Sequence, residues 1–169
     1  MKQLIISILI AFALISCEPT SDFMTSPTVD INYKPLKLND STLLTLKKGT
    51  VNNVYIDSLK VGDTVIIKVR LADLKYNLKS IRFSTDVDSS TVFLLPTDKD
   101  FKSKYANSSD FLMGKLDFAK STKSEEIELT YFAKKSSKTA HLTVYLTTES
   151  KDSTNMDSLK LSTPIKFLP

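Results

Sequence analysis

From residue 29 onward, apolar and polar side chains alternate with a period of two in short runs, and a 3.6-residue period is hard to find. The clearest run is Val65–Leu71, in which Val65, Ile67, Val69 and Leu71 share one face and Lys68 and Arg70 the other. Ala140–Thr147 repeats the pattern, with Ala140, Leu142, Val144 and Leu146 inward and His141, Thr143, Tyr145 and Thr147 outward. Glu126–Tyr131 directs Ile127, Leu129 and Tyr131 inward, and Lys79–Ser84 does the same with Ile81 and Phe83. Further strands are predicted over Val29–Lys34, Leu43–Leu46, Asn53–Leu59, Thr91–Leu95, Lys115–Phe118 and Leu159–Leu168. Polar clusters at Asp86–Ser90, Ser121–Ser124, Lys134–Lys138 and Lys151–Asp157 separate them. A helix of one or two turns fits only within Asp98–Asp110.

One-sided alternation of this kind means sheets with a dry face and a wet face, which is the habit of antiparallel sheets. Roughly seven to nine such strands predict an all-β fold, an antiparallel two-sheet Ig-like β-sandwich over 29–169, with a barrel as the alternative. Val61-Gly62-Asp63-Thr64 reads as a tight turn, with Gly62 supplying the positive φ.

The first residues follow a different rule. Lys2 precedes a run from Leu4 to Ile15 that is apolar except for Ser7. This is shorter than the roughly 20 residues of a membrane-spanning helix and matches a secretory core segment. Leu14-Ile15-Ser16-Cys17 follows, with an aliphatic residue three before the cysteine and a small one directly before it. This resembles the lipobox of bacterial lipoproteins. The resemblance implies a signal peptide over 1–16, cleavage before Cys17, and lipidation of the Cys17 thiol. With each buried CH₂ contributing about 0.8 kcal/mol, two or three acyl chains give stable anchoring. Residues 17–28 then form a lipidated tether rich in Pro, Ser and Thr, of which 18–28 span at most about 36 Å when extended.

The segment Leu59–Val65 resembles the turn-and-strand start common in bacterial Ig-like domains, and the whole layout resembles small Bacteroidetes-type lipoproteins with an Ig-like domain. The family implies a cell-envelope location, lipid-anchored, with the outer membrane the expected site and the domain in the periplasm or on the cell surface.

Composition narrows the chemistry. Hydrophobic residues make up 41% of the 169 and charged residues 25%, the balance of a globular domain. The net charge of +4 is spread along the chain with only two arginines, Arg70 and Arg82, so no basic cluster for nucleic acid is expected. The single cysteine excludes an internal disulfide, and its expected lipidation removes it from nucleophilic chemistry. One histidine, His141, and three glycines argue against a zinc site and a phosphate loop. No Gly-x-Ser-x-Gly elbow accompanies His141, so no catalytic residue and no cofactor is expected. Asp86 and Asp88 are the calcium candidates, although their loop lacks the central glycine and terminal glutamate of an EF-hand, and a solvated hairpin turn is the simpler reading.

His141 and Tyr145 mark the expected ligand face, with Tyr55, Tyr76 and Tyr105 as further outward rings. The expected function is a lipid-anchored, non-enzymatic binding or assembly module contacting the membrane through Cys17 and an envelope protein or glycan through its domain. The alternatives are a carboxylate-based glycan hydrolase and a structural subunit of a surface fibre.

Overall fold

A computed structural model describes residues 27–31, 33–50, 52–86, 90–150 and 156–167. Cys17, the leader, the tether as far as residue 26, and Asp88 lie outside the described residues. Among the described residues, no helix is long and apolar enough to cross a membrane.

The chain runs through β1 (Thr28–Asp30), β2 (Leu36–Lys37), β3 (Thr42–Leu43), β4 (Leu46–Lys48), β5 (Asn53–Ile56), β6 (Leu59–Lys60), β7 (Thr64–Ala72), β8 (Leu78–Thr85) and β9 (Thr91–Leu94). The single helical turn α1 (Lys99–Lys102) follows, then β10 (Lys115–Asp117), β11 (Ser124–Ala133), β12 (Ser137–Thr148) and β13 (Met156–Lys166). Sheet A has the order β3-β2-β7-β11-β9, and β1 shares an edge of β7 with β2. Sheet B has the order β10-β8-β12-β13-β5-β4, and β6 shares an edge of β13 with β5. Two sheets facing each other over one core make an all-β, Ig-like sandwich and not a closed barrel.

The core is what the alternation dictates. Val65, Ile67, Val69 and Leu71 from β7 are fully buried, and so are Ile127, Leu129 and Tyr131 from β11. Ile81 and Phe83 from β8 and Ala140, Leu142, Val144 and Leu146 from β12 close on them from sheet B. Fully burying each large side chain contributes roughly 1.5–3 kcal/mol, so these four strands carry most of the fold. Gly62 has φ +94°, and the Asp63 carboxylate accepts from the Lys60 N–H at 2.8 Å to close that turn.

The short strands depart from the expectation in three ways. The Leu43–Leu46 run is not one strand: the chain crosses from sheet A to sheet B there, with Leu44 turned into the core and the Thr45 N–H held by the Asp57 carboxylate at 2.9 Å. The Asn53–Leu59 run breaks at Asp57-Ser58, where the buried Thr163 hydroxyl donates to the Asp57 carbonyl at 3.0 Å. Both of its pieces run parallel to β13, so sheet B is mixed where a purely antiparallel sheet was expected. Pro164 lies inside β13 opposite the register shift between Ser137 and Ala140, where its missing N–H leaves no gap in a regular ladder.

Candidate functional site

The outer face of sheet B carries the candidate site. Along β8 the inward Ile81 and Phe83 force Ser80, Arg82 and Ser84 outward; along β12 the same parity turns Thr143, Tyr145 and Thr147 outward. The register then fixes neighbours. Arg82 stands opposite Tyr145 on one side and opposite Lys115 of the edge strand β10 on the other, and Tyr145 stands opposite Ser158 of β13. The adjacent row runs Met156, Thr147, Ser80 and Asp117, with the Ser80 hydroxyl 3.2 Å from that of Thr147.

One wall is a turn folded onto the sheet edge. Asp110 and Lys115 exchange both backbone hydrogen bonds, at 2.7 and 2.9 Å. The Asp110 carboxylate caps the turn, accepting from the N–H groups of Leu112 and Met113 at 3.1 and 3.0 Å. Gly114 has φ +66°, its carbonyl accepts from the Phe83 N–H at 2.9 Å, and a Cβ there would come within 2.5 Å of the Phe93 ring. Glycine is thus required both by the backbone and by the close approach to Phe93. The fixed turn lifts Leu112 (93% exposed) and Met113 (72%) out of the surface. Between Met113 on one side and Met156 (55%) on the other, over Tyr145 (40%), lies a groove of about 650 Å³ that also touches Ser80, Thr147, Arg82 and Lys115.

The charged side chains lining the groove are both cations. Among the described residues, the ion pairs are Lys37–Asp40, Lys68–Glu128 and Lys104–Glu125, none of them on this face. Arg82 and Lys115 are exposed and face each other without a carboxylate between them. The nearest acid on β10, Asp117, accepts from the Ser108 hydroxyl at 2.7 Å.

His141 lies on the same outer face, four residues before Tyr145 and therefore roughly 13 Å along the strand, outside the groove. Its backbone N–H donates to the Asp86 carboxylate at 2.6 Å, and its Nδ1 lies 2.9 Å from the hydroxyl of the buried Ser162. This brings a serine, a histidine and an aspartate together, but not in the relay order. Asp86 holds an amide and not the imidazole, and the serine is buried. The trio ties the start of β12 to the end of β8 and to β13. Asp86 is thereby engaged, and no group of three or more metal-capable side chains occurs among the described residues.

Tyr55 is exposed on β5, opposite Lys47, and half-buried Tyr76 has the Lys75 ammonium 5.2 Å from its ring. Tyr105, expected to point outward, is buried instead (5% exposed). The Asp98 carboxylate caps α1 through the Phe101 N–H at 2.8 Å, and the turn folds Phe101 and Tyr105 against Phe111 and Phe118 with ring centroids 5.0–6.1 Å apart. Burial, and then the charge of Glu125, raise the Tyr105 phenol above its ordinary value.

No family model matches the chain, and no curated protein does. Among solved structures, the chain is similar to domains 4 and 5 of the S-layer protein SbsC, at 12% identity and a TM-score of 0.35, over 80% of this chain and 47% of that one. It is similar to a family 123 glycoside hydrolase from Clostridium perfringens at 11% identity and a TM-score of 0.44, over 85% of this chain and 27% of that one. It is also similar to PapD-like domain 7 of human CEP192, at 12% identity and a TM-score of 0.38, over 75% of this chain and 87% of that one. The chain thus spans less than half of the first two proteins.

Arg82, Lys115, Met113 and Met156, which sequence reasoning did not single out, join Tyr145 in the groove. The one signal available was Arg82 on the polar side of an alternating run; what assembles the site is cross-strand register.

Proposed function

We propose that this chain is a lipid-anchored, non-catalytic binding module of the bacterial cell envelope, and that the outer face of sheet B is its contact surface. The observation that carries the reading is the groove itself: an exposed tyrosine ring and two methionines beside two cations that are in no ion pair among the described residues. Exposed apolar side chains gathered with unpaired charge mark an interaction site rather than ordinary surface. The anchor part of the reading comes from Leu14-Ile15-Ser16-Cys17. A non-catalytic role is supported by what lines the groove, cations and thioethers where a glycan hydrolase has paired carboxylates, and by the structural use of His141. Fibre assembly by strand addition is disfavoured at edge strand β4, which presents exposed Lys47 and Lys48 to any incoming strand.

A photo-crosslinking amino acid placed at position 145, and in parallel at Thr130 on the outer face of sheet A, tests the contact surface in intact cells. The reading expects adducts from position 145 and few or none from 130. Equal adducts from both positions, or reproducible turnover of a glycan that is lost on changing one carboxylate, would defeat it. Cys17→Ser should remove lipid labelling and release the domain from the membrane fraction.

A further inference from the structure

We infer that the groove on sheet B takes an acidic polypeptide segment, seating one apolar side chain between Met113 and Met156 and placing flanking carboxylates on Arg82 and Lys115. The inference rests on the reading of sheet B as the contact face and adds the chemistry of the occupant.

Register sets two cations side by side. Arg82 and Lys115 are direct cross-strand partners, and like charges so placed repel. Among the described residues neither cation is in an ion pair, and the two acids on this edge are held elsewhere, Asp117 by the Ser108 hydroxyl and Asp110 by the turn's own N–H groups. An incoming anion relieves this repulsion, so charge complementarity selects an acidic occupant.

The walls decide which acidic occupant. Met113 and Met156 are flexible thioethers that pack on apolar groups and offer sugar hydroxyls little to bond, and methionine is favoured at adaptable protein-binding surfaces. The site is a concavity of about 650 Å³, within the range of roughly 300–1,000 Å³ of sites that bury a small ligand, which a short peptide segment with one inserted side chain fills and a flat bilayer surface does not. The wall is also preformed. The Asp110 cap and the Gly114–Phe83 hydrogen bond hold the turn on the sheet, so docking orders little that is loose.

The test uses the full chain in phosphatidylcholine nanodiscs and four probes: a random glutamate–tyrosine copolymer, poly-glutamate, polygalacturonate, and vesicles containing phosphatidylglycerol. Binding is read by fluorescence anisotropy for the polymers and by co-flotation for the vesicles. The copolymer should bind most tightly, and added salt should weaken it. Arg82→Glu and Lys115→Glu should each lower its affinity about tenfold, the equivalent of about 1.4 kcal/mol, while Lys135→Glu in the β11–β12 turn should not. Tyr145→Ala should weaken the copolymer more than poly-glutamate. Arg82→Gln, a milder change, gives the same direction should a reversal disturb folding.

The inference is overturned if polygalacturonate or the vesicles bind as tightly as the copolymer, if the copolymer does not bind, or if its binding ignores Arg82 and Lys115. Should the copolymer fail while crosslinks still form at position 145, the acidic polypeptide is discarded and the contact face stands. Should both fail, both are discarded.

Discussion

The two outer faces of the sandwich handle charge in opposite ways. At the centre of sheet A, where β7 meets β11, Lys68 faces Glu128 with an N–O separation of 3.4 Å, and Arg70 faces Glu126. The Lys68 ammonium also lies 5.7 Å from the centroid of the Tyr33 ring. On sheet B the corresponding row sets Arg82 between Tyr145 and Lys115. The inward halves of these strands are built alike, from buried Val, Ile and Leu, so the contrast belongs to the surface and not to folding. A seam whose outer residues serve only the sheet pairs its charges. A seam that leaves them facing one another keeps a small instability, and the groove beside it is where that charge finds a use.

The shared core sets the largest expected effect. Leu129→Ala on sheet A and Leu142→Ala on sheet B should each cost about 2–5 kcal/mol in denaturant unfolding, because both side chains are fully buried. Comparable losses would locate the asymmetry at the surface, whereas a much smaller loss on one side would mean that the sheets are not equal partners in the core.

Charge reversal on sheet A comes next. Glu128→Lys removes the partner of Lys68 and sets two cations opposite each other, for an expected loss of about 1 kcal/mol that shrinks in high salt. A similar loss follows from a polar group without a partner. The Tyr105 hydroxyl is buried without a hydrogen bond among the described residues, so Tyr105→Phe should stabilise by about 1 kcal/mol.

The same substitution should change the alkaline limit. The folded phenol titrates above its unfolded value, so its stabilising contribution is complete below about pH 10 and is lost as pH rises from there toward the folded value. Tyr105→Phe should remove that part of the alkaline loss from a pH series of thermal unfolding.

The smallest effect is acidic. The Thr45 backbone N–H holds the Asp57 carboxyl below its ordinary value, so the clamp at the sheet crossing is intact above about pH 4 and weakens as pH falls below it. Asp57→Asn should flatten that part of the profile.

Much of this was legible in the sequence. In β7, β8, β11 and β12, every residue expected inward is buried, because a period-two pattern needs no knowledge of partners. What failed were non-local features. Leu44 diverts the chain between sheets, and β5 and β6 lie parallel to a strand about a hundred residues later, neither of which leaves a local mark. Tyr105 was misplaced because a single helical turn, capped by Asp98, rotates it inward. His141 and Tyr145 do share a face, yet the first is absorbed by Asp86 and Ser162 and only the second lines the groove. The pairing of Arg82 with Lys115 is a consequence of register between strands 33 positions apart, and alternation within either strand cannot show it.

The central claim, that sheet B holds its charge for a partner and not for the fold, is tested most directly by the thermal stability of Arg82→Glu measured at low salt. Placing a carboxylate opposite Lys115 should raise stability by about 0.2–1 kcal/mol, a rise that fades as salt is added, while affinity at the groove falls about tenfold. A fall in stability comparable to that of Glu128→Lys would contradict the account, because it would mean that Arg82 serves the sheet as Lys68 and Glu128 serve theirs.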